Sequence, residues 1–290
     1  MPETKYFSHA WKLLTGNKGW LKVVLLLSLC LLVPIVGALG VLGYLYEWGR
    51  LVAWGVDASP KQKNIDVGGC IKSGWRVFVV NLGYYAVWFL VVAFFTNLAG
   101  GELEGLPALL VWACGLFLAT FVHSASLRAS IYQKIGGGYQ VNRLWDMVRR
   151  DFAGFAKVTG IRLLVAAVCG LIICVPAIVF VFYVAGASLA FYPTLSMNTQ
   201  VSSLIGPAMT ALVVLLAVAL VLYVFGMIMS AMLVSLWFRQ FDVPAWGASK
   251  DPLPQTQAYG AYGVQPPTPA QGQQGPGPQD GVGHQGGDQQ

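Results

Sequence analysis

The chain has 290 residues, of which 56% are apolar and only 10% are charged. Soluble domains contain roughly 45–50% apolar and about 25% charged residues, so this composition indicates a protein dissolved in lipid. The net charge of +6 does not indicate nucleic acid, because basic residues confined to loops beside apolar spans are what membrane insertion produces. We therefore expect the lipid bilayer as a partner and no nucleic acid.

The longest uncharged run covers residues 163–238, which contain no Asp, Glu, Lys or Arg. A helix of that length would exceed about 100 Å, whereas the hydrocarbon core of a bilayer is about 30 Å thick. The run must fold back at least once, and the polar stretch PTLSMNTQVSS at 193–203 is the predicted turn.

Five apolar segments reach the roughly 20 residues that a spanning helix needs. They cover residues 21–46, 77–98, 106–127, 163–192 and 205–237. Trp75 and Trp237 stand near segment ends, where amphipathic rings favour the headgroup layer. The sequence predicts an all-α polytopic membrane protein with four or five spanning helices.

Two amphipathic stretches precede the first and the fourth of these segments. KYFSHAWKLL at 5–14 and VNRLWDMVRRDFAGF at 141–155 repeat apolar residues at helical spacing, with charged residues mostly on the other face. Each is predicted either to lie along the membrane surface or to extend the span that follows it. Both lead into an apolar run that contains Val-Pro, at Pro34 and Pro176, and this similarity suggests an internal repeat of Pro-broken segments.

The first apolar segment either crosses the membrane with a kink or enters and returns as a re-entrant hairpin. Pro34 removes a helical hydrogen bond in its middle, and the two halves are each too short to span. Gly37, Gly40 and Gly43 recur every three residues and predict close packing of another helix. A hairpin places all 18 Lys and Arg residues on one side, whereas a span leaves the first four Lys on the other. The distribution of basic residues therefore favours the hairpin.

Basic residues also predict the orientation of the chain. After the first segment, connections rich in Lys and Arg alternate with connections that have none, as four crossing helices require. We expect a multi-pass cell membrane protein whose basic connections and C-terminus are cytoplasmic. Residues 1–247 form the predicted helical membrane domain, and residues 248–290, rich in Pro, Gly and Gln, a disordered cytoplasmic tail.

The sequence contains few residues suited to catalysis. HExxH and GxSxG are absent, IGGGYQ at 135–140 lacks the GK[ST] ending of a phosphate-binding loop, and the five cysteines show no CxxC spacing. No catalytic residue, metal ligand or cofactor is predicted, and we do not expect an enzyme.

Three residues remain as candidates for a role beyond packing. His123, near the end of the third segment, is interpreted as a hydrogen-bond donor between helices, with a proton relay as the alternative. Glu47 and Arg50 are three residues apart and predicted to pair at the membrane edge, where gating or partner binding are the functional alternatives. The central spans are expected to carry no ionisable group at mid-depth, which argues against ion-coupled transport.

Scattered motifs carry a family resemblance. They are Trp11, VPI at 33–35, GY at 43–44, Arg50, GWRVF at 74–78 and FRQFDVPAWG at 238–247. These residues resemble an uncharacterised family of prokaryotic multi-pass membrane proteins, domain of unknown function 4013, over roughly residues 6–247. The resemblance implies a membrane fold and no established activity, so no functional residue follows from it.

Two functions remain open at this point. In the first, the chain is a membrane scaffold or accessory subunit that meets cytoplasmic partners through its loops and tail. In the second, it is a transporter or channel for an uncharged or lipid-like solute, whose path is lined by the Pro-broken segments. The expected lack of ionisable groups at mid-depth favours the first.

Overall fold

The computed structural model describes residues 5–101, 104–191, 197–241 and 243. Regular structure in these ranges is entirely helical, which confirms the all-α prediction. The helices are α1 (Tyr6–Thr15), α2 (Trp20–Cys30), α3 (Val36–Ala53), α4 (Val67–Leu98), α5 (Leu106–Ile131), α6 (Ile135–Gly138), α7 (Val141–Arg150), α8 (Phe152–Phe191) and α9 (Met197–Arg239). The predicted tail at 248–290 lies outside the described residues and stays a prediction.

Four helices are long and apolar enough to cross a membrane. They are α4, α5, Phe152–Phe182 of α8 and Ala208–Arg239 of α9. These helices match the last four predicted segments, so the polytopic architecture is confirmed. The turn predicted at 193–203 is too long, because α9 already begins at Met197. Residues 193–196 of the predicted turn lie outside the described part of the chain. A helix can include the polar residues after Met197 because its backbone groups bond to one another whatever the side chains are.

The first predicted segment forms two helices, α2 and α3, between which the chain reverses direction. Gly16 and Gly19, just before α2, lie against the side chains of Ser59 and Gln62, just after α3. The residues just before α2 and those that follow α3 therefore lie next to each other. At about 16 Å, α2 is too short for the roughly 30 Å core, and α3 is not among the helices long and apolar enough to cross it. The segment is therefore a hairpin in the structure, and its re-entry into a membrane stays a prediction.

The reversal occurs in the break between Cys30 and Val36. The Pro34 carbonyl accepts a hydrogen bond from the Val36 N–H at 2.7 Å, and Ile35 between them has φ 63° and ψ −68°, which is the geometry of a γ-turn. Positive φ is unfavourable for a β-branched residue, so the turn needs support from its surroundings. Gly37 provides it, because its backbone lies directly against the Cys30 carbonyl, where a side chain would not fit.

Both amphipathic stretches form helices of their own and do not extend the following spans. The axes of α1 and α2 differ by 88°. The second amphipathic helix, α7, ends at Arg150, earlier than the predicted 155, because Asp151 has non-helical backbone angles. The Asp151 carboxylate accepts the Gly154 N–H at 2.9 Å and so caps the start of α8.

We call one end of the helical unit the basic end. It contains the ends of α3, α5 and α9 and the starts of α4 and α8. Polar contacts join these helices pair by pair. Trp237 on α9 donates to Asp151 at the start of α8, and Ser73 on α4 donates to Glu47 on α3. Arg239, the last residue of α9, donates to the carbonyl of Gly55, just after α3. Arg76, near the start of α4, donates to the carbonyl of Gln133, just after α5.

Most of the packed core lies in the half of the unit near the basic end, and on α8 it continues as far as Val165 and Cys169. Buried side chains of α4 stop at Val80, whereas those of α5 begin at Thr120 and the described ones of α9 begin at Val224. Toward the other end, large apolar side chains such as Phe89 and Trp112 are each 72% exposed. Acyl chains suit this surface, so the far halves of the helices are lipid-facing rather than core-forming.

Candidate functional site

Close approach of α3 and α4 at two glycines brings the charged residues of both helices together. A Cβ on Gly43 would overlap the Cys70 carbonyl, and one on Gly74 would overlap the Leu39 carbonyl. The helices therefore touch through backbone, as the predicted small-residue stripe requires. Gly40 departs from that prediction, since no described atom outside the adjacent backbone of its own helix lies within 4 Å of where its Cβ would be. The reason is geometric: three-residue spacing drifts around a helix of 3.6 residues per turn.

Glu47 on α3 is the centre of a polar cluster that joins α3, α4 and the end of α5. Its Oε1 accepts hydrogen bonds from the Ser73 hydroxyl at 2.6 Å and the Gln133 amide at 2.9 Å. Arg50 Nε lies 3.2 Å from Glu47 Oε2, and Arg76 Nη2 lies 3.7 Å from Oε1. The predicted pairing of Glu47 with Arg50 is thus present, within a larger cluster than the sequence indicated.

Burial makes this cluster energetically different from a surface ion pair. The Arg50 and Arg76 side chains are 11% and 12% exposed, and the Glu47 side chain is 27% exposed. Two cations share one carboxylate there, so removing that carboxylate would leave both guanidinium groups buried without a compensating charge. Sequence reasoning missed Arg76 and Gln133 because both reach Glu47 only through tertiary packing.

A second polar cluster surrounds Asp57, in the connection between α3 and α4. Asp57 Oδ1 lies 2.6 Å from Arg239 Nη1 and 3.1 Å from His9 Nε2. Partial burial opposes ionisation of Asp57, but the hydrogen bond and charge of Arg239, together with His9, outweigh it and lower the pKa of the carboxyl. The cluster ties α1 and the end of α9 to this connection.

Asp151 is the centre of a third polar cluster, which joins the start of α8 to the end of α9. Its Oδ2 accepts from the Trp237 indole at 3.1 Å and from the Gln240 amide at 2.6 Å. Burial again opposes ionisation, but the Gln240, Gly154 and Trp237 hydrogen bonds lower the pKa of the carboxyl. The basic end is therefore cross-linked by polar contacts as well as by apolar packing.

We expect the Asp57 cluster to contribute less to the stability of the folded protein at acidic pH. Its folded pKa is below the ordinary value of 3.8, so its contribution is present above 3.8 and is lost as pH falls through the folded value. On going from about pH 6 to about pH 3, the thermal midpoint should fall less for Asp57→Asn than for the unchanged chain. Thermal unfolding in detergent at several pH values measures this. An equal fall for both chains would contradict a stabilising role of the ionised Asp57.

His123 has the helix-to-helix role that its sequence position indicated. Its Nδ1 is hydrogen-bonded to the Tyr46 hydroxyl at 2.5 Å, and the two rings stack with centroids 6.2 Å apart. This contact joins α5 to α3. The alternative of a proton relay stays a hypothesis.

Arg162 lies on a helix and not in the basic loop where the sequence placed it. It is the eleventh residue of α8, within the range of that helix that is long and apolar enough to cross a membrane, and the expected lack of ionisable groups at mid-depth stays a prediction. Arg162 Nη1 donates to the Thr120 hydroxyl at 2.7 Å. Periodicity could not show this, because a cation at the edge of an apolar run resembles a loop residue until the start of the helix is known.

Pro176 differs from the prediction of a break in the second Val-Pro run. The α8 helix continues through Pro176 from Phe152 to Phe191, whereas the chain reverses direction at Pro34. Proline costs one backbone hydrogen bond and is tolerated in membrane helices when neighbouring groups compensate. The two Val-Pro runs are therefore not equivalent in structure, which removes one of the observations that suggested an internal repeat.

A basic cavity of about 760 Å³ opens beside α7 at the basic end. Arg128, Arg143, Arg150 and Asp146 supply its charged lining. Arg128 is held in place, because its Nη2 donates to Gln140 at 2.7 Å and its guanidinium lies 4.9 Å from the Tyr132 ring centroid. The net positive lining suits an acidic group.

A family model described as "Protein of unknown function (DUF4013)" matches residues 26–175, more than half of the chain. The match includes the hairpin break, the Glu47 cluster, the residues of α7 and Arg162. FRQFDVPAWG lies beyond it. No curated protein and no solved structure matches the chain.

Proposed function

This chain belongs to the DUF4013 family, and we propose that it is a membrane scaffold or accessory subunit that binds protein partners at its basic end. The family description assigns no activity, so the proposal depends on the geometry of the chain. The observation that carries it is the concentration of packing and polar ties at the basic end. A surface held in this way is preorganised, which lowers the entropic cost of binding.

The basic cavity is the proposed contact for a partner. Arg143 and Arg150 are exposed and stand on α7, while Arg128 is anchored at the cavity by Gln140. Guanidinium groups bind carboxylates through paired hydrogen bonds. An acidic segment of a protein partner is therefore the ligand that suits this surface.

The proposal includes an orientation. We place the basic end in the cytoplasm, because Lys and Arg are retained on that side during insertion. The α2–α3 hairpin then enters and leaves from the cytoplasmic face, and the α1 and α7 helices lie along it. The C-terminal tail follows α9 and is cytoplasmic in this arrangement.

Cysteine labelling tests the orientation. Ser8 and Lys63 are exposed at the basic end, and Glu104 is exposed in the connection between α4 and α5. In a chain whose five native cysteines are replaced, we expect an impermeant thiol reagent to label Glu104→Cys in intact cells. Ser8→Cys and Lys63→Cys should react only after permeabilisation. Labelling of Lys63→Cys in intact cells would overturn the orientation, and labelling of Ser8→Cys alone would overturn the hairpin.

Transport is the second candidate, favoured by the charged side chain of Arg162 within the membrane. Two observations count against it. In their far halves α4, α5 and α9 carry mostly exposed large apolar side chains, which leaves little packing to enclose a path, and α8 is unbroken at Pro176. Solute flux through liposomes that contain the protein, dependent on Pro34, would support transport and contradict the scaffold.

Co-purification with a matched control tests the scaffold. We expect a partner to co-purify in fixed stoichiometry with the full chain and to be lost with Arg143→Glu and Arg150→Glu combined. Arg149→Glu is the control on the same helix, because its guanidinium lies 5.5 Å from the Trp145 ring and does not line the cavity. Equal retention by both variants would reject the cavity as the contact. A chain truncated after Trp246 then shows whether the tail holds the partner instead.

A further inference from the structure

The Arg162 side chain lies inside the helical unit, away from the other arginines of the basic end. Its partner Thr120 precedes Arg128, at the basic end of α5, by eight residues or about 12 Å. Tyr85, which the guanidinium also approaches, follows Arg76, at the basic end of α4, by nine residues or about 13 Å. Two helices thus give the same distance, about 12–13 Å beyond Arg76 and Arg128, and this position lies within the apolar length of these helices.

The side chain of Arg162 is only partly satisfied. Its Nη1 donates to the Thr120 hydroxyl, which Thr159 also contacts at 3.1 Å. Among the described residues, its buried Nε has no hydrogen-bond partner. The phenol groups of Tyr46 and Tyr85 are close enough to interact with the guanidinium, but neither is an anion at neutral pH.

A tyrosine beside this cation reaches the lipid-facing surface. Tyr85 on α4 lies near Tyr223 on α9, and these side chains are 44% and 60% exposed. Tyr85, which approaches the guanidinium, and Tyr223 therefore mark the lipid-exposed side of this site, on α4 and α9. Hydroxyl and guanidinium donors together form a site for an oxygen anion.

Neither this chain nor a second copy can supply the missing anion from its spans. Residues 77–98, 106–131, 152–191 and 197–239 contain no Asp or Glu. The described carboxylates at Glu47, Asp57 and Asp151 are engaged at the basic end. Because a homo-oligomer would bring only the same residues to this depth, the counter-ion must be a different molecule.

We propose that Arg162 binds the oxyanion headgroup of a membrane amphiphile that enters between Tyr85 and Tyr223. The headgroup accepts hydrogen bonds from the guanidinium and the phenols, while its acyl chain lies on the exposed apolar surface of α4 and α9 beyond the two tyrosines. A fatty-acid carboxylate and a phospholipid phosphate share this chemistry. The site is separate from the basic cavity and does not depend on partner binding there.

Binding of labelled amphiphiles to the purified full chain tests the proposal. We expect saturable binding of oleate or of phosphatidylglycerol, and no comparable binding of oleyl alcohol or diacylglycerol, which keep the chains but lack the oxyanion. Oleate alone identifies a carboxylate site, and phosphatidylglycerol alone identifies a lipid phosphate site. Binding of neither, or equal binding of the neutral analogues, would overturn the proposal.

Substitutions at the proposed site test where the amphiphile binds. Arg162→Gln should weaken it about tenfold or more, as expected for the loss of hydrogen bonds to a charged group. Arg162→Lys should retain part of it, and Arg149→Gln, a change at the basic end, should leave it unaltered. If Arg162→Gln does not fold, Tyr85→Phe removes one donor hydroxyl and keeps the ring, and should weaken binding several-fold. Unchanged binding in Tyr85→Phe and in a folded Arg162 variant would reject the site.

Discussion

Gly43→Ala is expected to destabilise the protein strongly by forcing α3 and α4 apart. The added carbon would overlap the Cys70 carbonyl, which belongs to helix backbone and cannot rotate away. The helices would have to separate, and overpacking of this kind costs about 3 kcal/mol at the upper end of its usual range. Separation would also stretch the Glu47 cluster, which spans the same two helices. Thermal or denaturant unfolding of the detergent-solubilised chain measures the loss.

Gly40→Ala is the matched control, on the same helix and with the same added methyl. Outside the adjacent backbone of α3, no described atom lies within 4 Å of the new carbon, and alanine is the better helix former. We expect Gly40→Ala to be stabilising by about 0.5–1 kcal/mol. Similar destabilisation by both substitutions would show that α3 packs through a different face.

Glu47→Ala is expected to have the second large effect, about 3 kcal/mol of lost stability. The substitution leaves Arg50 and Arg76 with 11% and 12% exposed side chains and no carboxylate between them. It also removes the acceptor of the Ser73 and Gln133 hydrogen bonds. Unfolding measurements at low and high salt are informative, because a buried cluster is screened much less than surface pairs are.

Two comparisons separate charge from packing at this cluster. Glu47→Gln keeps the shape and an acceptor oxygen but removes the charge, so it should recover only part of the loss. Asp57→Ala breaks an ion pair whose carboxylate is 55% exposed, and it should cost about 1 kcal/mol or less. Equal losses for Glu47→Ala and Asp57→Ala would mean that burial does not govern these clusters.

The spanning helices could be predicted because lipid imposes a simple rule on them. Runs of about 20 apolar residues have few alternatives to a helix, and α4, α5, α8 and α9 match the predicted segments. Reversal of the first segment was favoured by the location of basic residues, but the γ-turn at Ile35 could not be predicted. Its geometry depends on Gly37 lying against Cys30, a contact that exists only after folding.

The candidate site was predictable only where its residues are neighbours in sequence. Glu47 and Arg50 are three residues apart on one helix, and their pairing follows from that spacing. Gln133 reaches the same carboxylate from 86 residues away, through a backbone with φ 52°. Pro176 was misjudged for a related reason, since the effect of a proline depends on the groups around it and not on the Val-Pro pair itself.

The α2–α3 hairpin has a mechanical consequence for the bilayer. If it enters and leaves through one face, it adds cross-sectional area to that leaflet alone, and the surface-lying helices α1 and α7 add more there. Only the four long helices contribute area to the opposite leaflet. Such asymmetry makes insertion sensitive to curvature. The protein should accumulate where the leaflet around its basic end is stretched and should itself help to bend a flat bilayer in that direction.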